Sequence, residues 1–498
     1  MSHPTTKISQ KVTMLGAALS LLVPVAIGGC GSDNKPSTPP VNVTIGAMLP
    51  RTGPNANSDW VSAVELAVAD MTTAMSKSKI TQPISFTVDE KDVASDETMA
   101  HDAMMAYSGE TARIVITEAS NAAIGSNKWN YEQLIADPTS TLPMPVISFT
   151  ATSASLHAAS TDPVPARAAA LTDASHWFYR TCPISNNLSA IRLNQIFTTY
   201  GDQNHDGKVK VVWIGTSDTS TQSSIAGDIK AVNTYLTTAD GIAALGSNTF
   251  ISESVTFDAG TDPASFDYTS AIAKATDAHN ETTGMDDVVP DLIINKALPT
   301  IAIPFIKAYK QNSANIYKIF QDGSFRRNSL LIALGAAADG QVGVSNIAYM
   351  NNPSGTLFKT EQQAQTHFPP AAYEAQGYDA MALALLAVFK ASVANMDNPA
   401  TITNESVRAA VNQLNDPNAE VTFGAGAVEF QKALEAIQIG QSVNYNGASG
   451  NVDFDMVGDT RDYATLWQIT GGQFVETAYF DCVSSNACTG LGTTLPTM

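Results

Sequence analysis

The chain has 498 residues, a formal net charge of −20 at pH 7 and 7% aromatic residues. That acidity, with no basic stripe interleaved with aromatics, excludes nucleic acid and anionic lipid head groups as partners. Four cysteines and no Cys/His cluster at metal-ligand spacing point to no cofactor and no metal centre.

The first residues read as an export segment. Lys7 and Lys11 precede an apolar stretch over 12–27, which Pro24 breaks and which is too short for a good membrane span. Gly28-Gly29-Cys30 ends it as a lipobox would. Residues 1–29 are therefore expected to be a lipoprotein signal peptide, with Cys30 lipidated and 30–41 a polar, Pro-rich tether. About 460 residues remain, enough for two domains. No later run of about 18 or more apolar residues appears. Cys482 and Cys488, five residues apart in an exported chain, are expected to form a disulfide loop, and Cys182 to be a buried structural thiol.

The run 43–49 alternates Val43, Ile45, Ala47 and Leu49, with Met48 also apolar, and predicts a strand covered on both faces. Pro50, Gly53 and Pro54 break it. Ser58 or Asp59 would then cap a helix whose apolar face is Val61, Val64 and Val68. The pattern repeats: strand 84–92, helix 96–107, strand 112–117, a small polar loop opening a helix, strand 145–150. Alternating βα units predict a parallel sheet with helices on both faces. Residues 157–175 read as an insertion near the mouth of a cleft. A second series follows, with helix 187–200, strand 208–215, a helix to about 236 and strand 250–257. Helix 266–278, strand 290–295, a helix around 304–310 and strand 317–320 complete it. Residues 340–349 would return the chain to the first domain. Helices 373–391 and 405–414, an inserted helix and loop over 417–446, and strands 450–455 and 467–475 close the chain.

Five segments recur in order as landmarks of a known family. The first is Leu49-Pro50 with Thr52-Gly53-Pro54 and Ala67-Val68-Ala69-Asp70. The others are Val146-Ile147-Ser148-Phe149-Thr150-Ala151-Thr152-Ser153, Phe178-Tyr179-Arg180-Thr181 and Gly377-Tyr378-Asp379-Ala380. The last is Gly450-Asn451-Val452-Asp453-Phe454-Asp455 with Gly458-Asp459 and Gly472-Gln473-Phe474-Val475. Over 43–476 the sequence resembles periplasmic solute-binding proteins of the branched-chain amino acid type. The resemblance implies an α/β fold of two doubly wound Rossmann-like lobes joined by three hinge crossovers, the type I periplasmic-binding or Venus-flytrap architecture. The N-terminal lobe would hold 42–181 plus 349–454 and the C-terminal lobe 182–348 plus 455–481. Residues 482–498 would be a tail with the disulfide loop.

In that family the first lobe offers hydroxyls and backbone N–H groups to a ligand carboxylate, and the second an acid to an ammonium; both ends need such partners once desolvated. Carried over by position, the resemblance nominates Asn57, Ser58 and Trp60 in one loop, Ser120 and Asn121 in the next, and Thr150 and Thr152 in a third. Asp322 is the candidate for cation recognition. Residues 297–300 depart from the family, which often presents an aromatic there. Helix capping competes with ligand contact for the Ser, Thr and Asn positions, and a turn for Asp322-Gly323. Tyr378 and Asp379 are expected to be structural. Asp202, Asn204 and Asp206, followed by Gly207, resemble half of a calcium loop, but position twelve is Trp213, so a polar surface loop is expected. No nucleophile elbow or phosphate-binding loop is present, and the chain is not expected to be an enzyme. The resulting expectation is a lipid-anchored extracytoplasmic protein that captures a small polar ligand, an amino acid or related amide or carboxylate, for an ABC permease. The alternative is a ligand-sensing or scaffold lipoprotein whose cleft is degenerate, filled by side chains from 157–175.

Overall fold

The computed structural model describes residues 41–53, 55–81, 84–110, 112–258, 266–269, 271–272, 290–311, 318–346, 352–395, 401–484 and 487–490. The signal peptide, Cys30 and the tether lie outside the described residues, as do residues 273–278 of one expected helix, 347–349 of the expected return, and 491–498.

Strands β1 (Val41–Leu49), β2 (Ile84–Asp92), β3 (Ala112–Thr117), β4 (Val146–Ser148) and β5 (Phe178–Arg180) form a parallel sheet in the order β2-β1-β3-β4-β5. Both faces are covered because β1 is apolar on both. Val43, Ile45, Ala47 and Leu49 enter one core and Met48 the opposite one. At Gly46 a helix comes so close that a Cβ would sit 2.8 Å from the Tyr107 ring. The helices are α1 (Ser58–Lys77), α2 (Glu97–Gly109), α3 (Ser120–Ala136) and α4 (Pro165–Thr172). Asn57 caps α1, rather than Ser58 or Asp59. Its backbone is extended, and its side-chain oxygen accepts from the Asp59 N–H at 3.0 Å. Within 157–175 the chain forms α4, which packs along α3.

The second sheet begins with β6 (Lys208–Thr216), β7 (Thr249–Phe257), β8 (Leu292–Asn295), β9 (Lys318–Gln321) and β10 (Val342–Asn346), all parallel. Again alternation decides the faces: Val212 and Ile214 of β6 enter one core, Val211 and Trp213 the other. Its helices are α5 (Ser189–Asn194), which continues as a π-helical turn to Tyr200, α6 (Thr219–Tyr235), α7 (Ala239–Leu245), α8 (Pro299–Gln311) and α9 (Asn328–Leu334).

The chain then supplies the first lobe with α10 (Pro353–Thr366), α11 (Glu374–Ala394), α12 (Asn404–Asn412), β11 (Val421–Phe423), α13 (Ala427–Gln438), β12 (Val443–Gly447) and β13 (Gly450–Asn451). The expected inserted helix and loop over 417–446 is a βαβ unit, with β11 parallel to β12. Phe423, Phe430, Leu434, Ile437, Val443 and Tyr445 bury its apolar face in the core built around α1 and α11. Helix α11 is long and apolar enough to cross a membrane, but 83% of its apolar window is buried, so here it is the core helix.

The final strands return to the second sheet. β14 (Asp462–Thr470) pairs antiparallel with β10, and β15 (Gln473–Ser484) and β16 (Ala487–Gly490) extend the edge, giving the order β16-β15-β14-β10-β9-β8-β6-β7. The expected single strand over 467–475 is thus a hairpin, turned at Gly471-Gly472, both with positive φ (59° and 73°). The second sheet also runs past residue 481, through β16.

The Gly-Tyr-Asp-Ala segment is part of this frame. The Tyr378 hydroxyl donates to Asp70 at 2.6 Å and accepts from the Gly426 N–H at 2.8 Å. Asp379, fully buried, accepts from the Tyr445 hydroxyl, the Ala448 and Ser449 N–H groups, and the Ser449 hydroxyl, at 2.5–2.8 Å. Gly447 gives it room, since a Cβ there would fall 2.5 Å from the carboxylate. Asp379→Ala orphans several buried donors at once and is expected to destabilise the protein by about 3 kcal/mol or more. The check is a lower urea midpoint with an unchanged slope.

Candidate ligand-binding site

The carboxyl ends of the strands of both sheets face one another across a cavity of about 350 Å³, within the range of small-molecule sites. From the first lobe it is lined by residues following β1 (Asn55, Trp60), β2 (Ala94, Ser95, Asp96), β3 (Ala119, Ser120, Asn121) and β4 (Thr150, Thr152), together with Tyr373. The second lobe adds Asp218, Ser220, Thr221 and Ser224 after β6, Lys296 and Leu298 after β8, and Asp322 and Gly323 after β9. Ser185 and Leu188, on the first crossover, complete the wall. No residue of 157–175 lines it.

The first-lobe wall is built around the start of α3. No side chain caps that helix, and its first backbone bond runs from the Ala123 N–H to the Ala119 carbonyl. The preceding N–H groups are left for an incoming acceptor. Ala119 holds a positive φ of 39°, and the Thr150 hydroxyl fixes it by accepting its N–H at 2.6 Å. The Ser120 hydroxyl accepts the Ser153 N–H at 3.1 Å. Thr150 and Ser120 thus shape the wall through one lone pair each and keep a hydroxyl proton to offer. Thr152 and Asn121 make no side-chain hydrogen bond among the described residues. Trp60 donates its ring N–H to the Ala372 carbonyl at 2.7 Å and packs edge-on against Phe149 and Tyr373.

Six of the eight nominated positions thus line the cavity, and two do not. Asn57 is spent on capping α1, and Ser58 lies exposed at the start of that helix. Asp322 lines the cavity, but its charge is already matched. Arg192 reaches one carboxylate oxygen at 2.5 Å and Lys296 the other at 3.2 Å. Asp228 in turn binds Arg192 at 2.9 Å and Lys296 at 2.8 Å. The two neighbouring cations overcome burial and hold the Asp322 carboxyl far below the usual carboxylate range. Two acids and two bases therefore form a neutral, closed quartet at the second-lobe wall. Asp218 differs: its carboxylate accepts only the Thr221 N–H at 2.9 Å and the Thr216 hydroxyl at 2.6 Å, and no cation pairs with it among the described residues. Sequence reasoning missed Asp218 and Lys296: the other positions came from the family resemblance, whereas these two are marked only by following the carboxyl ends of strands. Asp218 stands two residues past β6, and Lys296 is the first residue past β8.

The calcium-like loop satisfies itself. Asp202 accepts the Asp206 and Gly207 N–H groups, and Asp206 the Lys208 N–H, at 2.9–3.2 Å. Among the described residues no group of three or more His, Cys, Asp or Glu side chains is placed to hold a metal.

The architecture is that of a type I periplasmic-binding protein: two parallel α/β sheets with a cavity between their carboxyl ends. Solved structures share it at low identity. A leucine-binding protein from Thermotoga maritima MSB8 aligns with a TM-score of 0.58 and 17% identity, covering 88% of this chain and 98% of its own. An ABC-transporter solute-binding protein from R. palustris, in complex with benzoate, gives 0.60 and 16%, covering 88% and 96%. A branched-chain amino acid transporter substrate-binding protein from Streptococcus pneumoniae, in complex with isoleucine, gives 0.57 and 16%, covering 88% and 100%. No protein-family model matches the sequence, and no curated protein matches it significantly.

Glu118, between β3 and α3, is fully buried, and burial pushes its carboxyl up to about 8. It is therefore largely neutral at pH 7 and leaves the positive end of α3 to the cavity. Because the folded value lies above the ordinary 4.5, stability from this group is full below that value and is lost as pH rises toward 8. Glu118→Gln is expected to remove that loss. Urea unfolding of variant and wild type at a series of pH values should show the variant gaining relative stability between pH 5 and pH 8.

Proposed function

We propose that this chain is an extracytoplasmic solute-binding protein, anchored to the membrane through lipidated Cys30, which captures a small zwitterionic ligand between its lobes and presents it to an ABC permease. The observation that carries the reading is the polarity of the cavity. An uncapped helix end with hydroxyl donors forms one wall, and a carboxylate without a cation partner, Asp218, stands on the other. A carboxylate fits the first wall because several donors replace its lost water. A cationic group fits the second, since closing over Asp218 without one would bury an unpaired charge. Asp218 thus takes the cation-recognition role expected of Asp322, which serves as part of the neutral quartet behind it.

The solved solute-binding proteins that share the fold, one a leucine-binding protein and two in complex with benzoate and isoleucine, support a ligand of this size. The open cavity favours ligand capture over the scaffold alternative, because the side chains expected to fill a degenerate cleft pack elsewhere. The register that sets Cys482 opposite Cys488 between β15 and β16 supports a disulfide there. Chemistry on a bound substrate plays no part in this reading.

The test is a thermal-shift and calorimetric screen of residues 41–498, refolded to strip co-purified solute, against amino acids, amides and small carboxylates. A ligand at about 100 times its Kd should stabilise the fold by about 2.7 kcal/mol. Asp218→Asn is expected to weaken a zwitterion by about 2–3 kcal/mol while leaving the melting temperature of the empty protein nearly unchanged. A screen in which nothing shifts the transition would overturn the reading.

A further inference from the structure

Ser185 lies on the first crossover, between the lobes, and neither sequence reasoning nor the zwitterion reading uses it. It is only 7% exposed, its hydroxyl has no hydrogen-bond partner among the described residues, and it lines the cavity. Its backbone is fixed from two sides: its N–H donates to the Thr152 carbonyl at 2.9 Å, and its carbonyl accepts from Arg192 at 3.1 Å. A buried hydroxyl without a partner is costly. Thr152, bonded to it through the backbone and 8% exposed, also faces the cavity with an unused hydroxyl. Two unspent hydroxyls thus stand side by side on the hinge wall, between the helix end that suits a carboxylate and the Asp218 side that suits a cation.

The rest of the lining agrees. Ser95, Ser120, Thr150, Ser220, Thr221 and Ser224 add six further hydroxyls, against few apolar side chains, chiefly Trp60, Leu188, Leu298 and Tyr373. Ser95 donates to Glu118, Thr221 to the Lys296 carbonyl, and Ser224 accepts from Lys296. The hydroxyls left for a ligand are therefore those of Ser185, Thr152 and Ser220 and the free protons of Ser120 and Thr150. A branched aliphatic chain or a bare aromatic ring would satisfy none of these.

Resting on the zwitterion reading above, we propose that Ser185 and Thr152 form a specificity point for a polar side group, so that the ligand is a hydrophilic zwitterion bearing a hydroxyl or carboxamide. The first-lobe donors hold its carboxylate, Asp218 its cation, and the hinge-wall hydroxyls its side group. Leucine and benzoate, which match only part of this pattern, are rejected.

Calorimetry with L-serine, L-threonine, L-asparagine, L-glutamine, L-leucine and benzoate tests this on the wild type, Ser185→Ala and Thr152→Val. At least one hydroxyl or amide ligand should bind the wild type 100-fold or more tightly than leucine or benzoate. Ser185→Ala should melt at or above the wild-type temperature when empty, because it deletes an unpaired buried group, yet bind that ligand 10- to 100-fold more weakly. Thr152→Val should weaken it similarly, and both should narrow the gap to leucine. A melting temperature that rises with affinity unchanged would make Ser185 a structural orphan and overturn the proposal. Tighter binding of leucine or benzoate would overturn the proposal while leaving the solute-binding reading standing. No binding by any of the six would overturn this proposal, and the solute-binding reading would fall only if the wider screen above also found nothing.

Discussion

The geometry of the cavity depends on one buried cation. Arg180, at the end of β5, is fully buried and pairs with Asp459 through two bonds of 2.5 and 2.8 Å. Its remaining amino group donates to the Ala151 and Ser153 carbonyls at 3.0 and 2.9 Å. One side chain therefore ties the first crossover to the segment carrying Asp459, which leads back to the second sheet, and sets the backbone on either side of Thr152. His157 adds a contact to Asp459 at 2.8 Å. The pair and its neighbours hold the Asp459 carboxyl far below its ordinary range despite burial. Removing one member of such a pair typically costs 3–5 kcal/mol, since the other is left charged and dry. The Phe-Tyr-Arg-Thr landmark in the sequence thus has a mechanical reason: the aromatics fill the core beneath, and the arginine fixes both the hinge and the loop beside it.

Much of this was legible in the chain. Strands covered on both faces are continuous apolar runs, and β1 and β6 stood out for that reason. The rule that ligands meet strands at their carboxyl ends pointed to the loop after β1, while Ser120, Asn121, Thr150 and Thr152 were carried over from the family resemblance and fall in loops that obey the same rule. What was less legible falls into two kinds. Short-range competition hid the true cap of α1, where Asn57, Ser58 and Asp59 are all good capping residues and only the backbone angle decides among them. A small sheet also escaped notice because β11 has only three residues, so its alternation carries almost no signal, and its helix looked like an insertion.

Charge matching was illegible for a different reason. Asp322 and Asp218 both follow strands, and the bases nearest Asp322 in sequence, Lys318, Arg326 and Arg327, are not the ones that pair with it. Arg192, which neutralises one of them, lies 130 residues away. Which acid remains open to a ligand is decided by the packing of α5, α6 and the loop after β8, none of which local sequence encodes. The buried quartet has a consequence for recognition. Because Arg192 and Lys296 are matched by Asp228 and Asp322, the wall has no cationic side chain left over among these four, and a second ligand anion gains little there.

The lobes also meet along a seam beside the cavity. The Arg326 carbonyl accepts the Ala372 N–H at 2.6 Å, and the Ala372 carbonyl accepts the Trp60 ring N–H, while Arg327 lies 5.4 Å over that ring. Burial pushes the Arg327 guanidinium down to about 10, so it remains charged at neutral pH within an aromatic and acidic setting that includes Asp59. Opening this seam would break the Ala372–Arg326 backbone bond and lift Arg327 from the Trp60 ring, while the Trp60–Ala372 bond stays within the first lobe. In the proposed capture, a hinge motion with this seam as its fulcrum would move the Asp218 wall relative to the α3 wall.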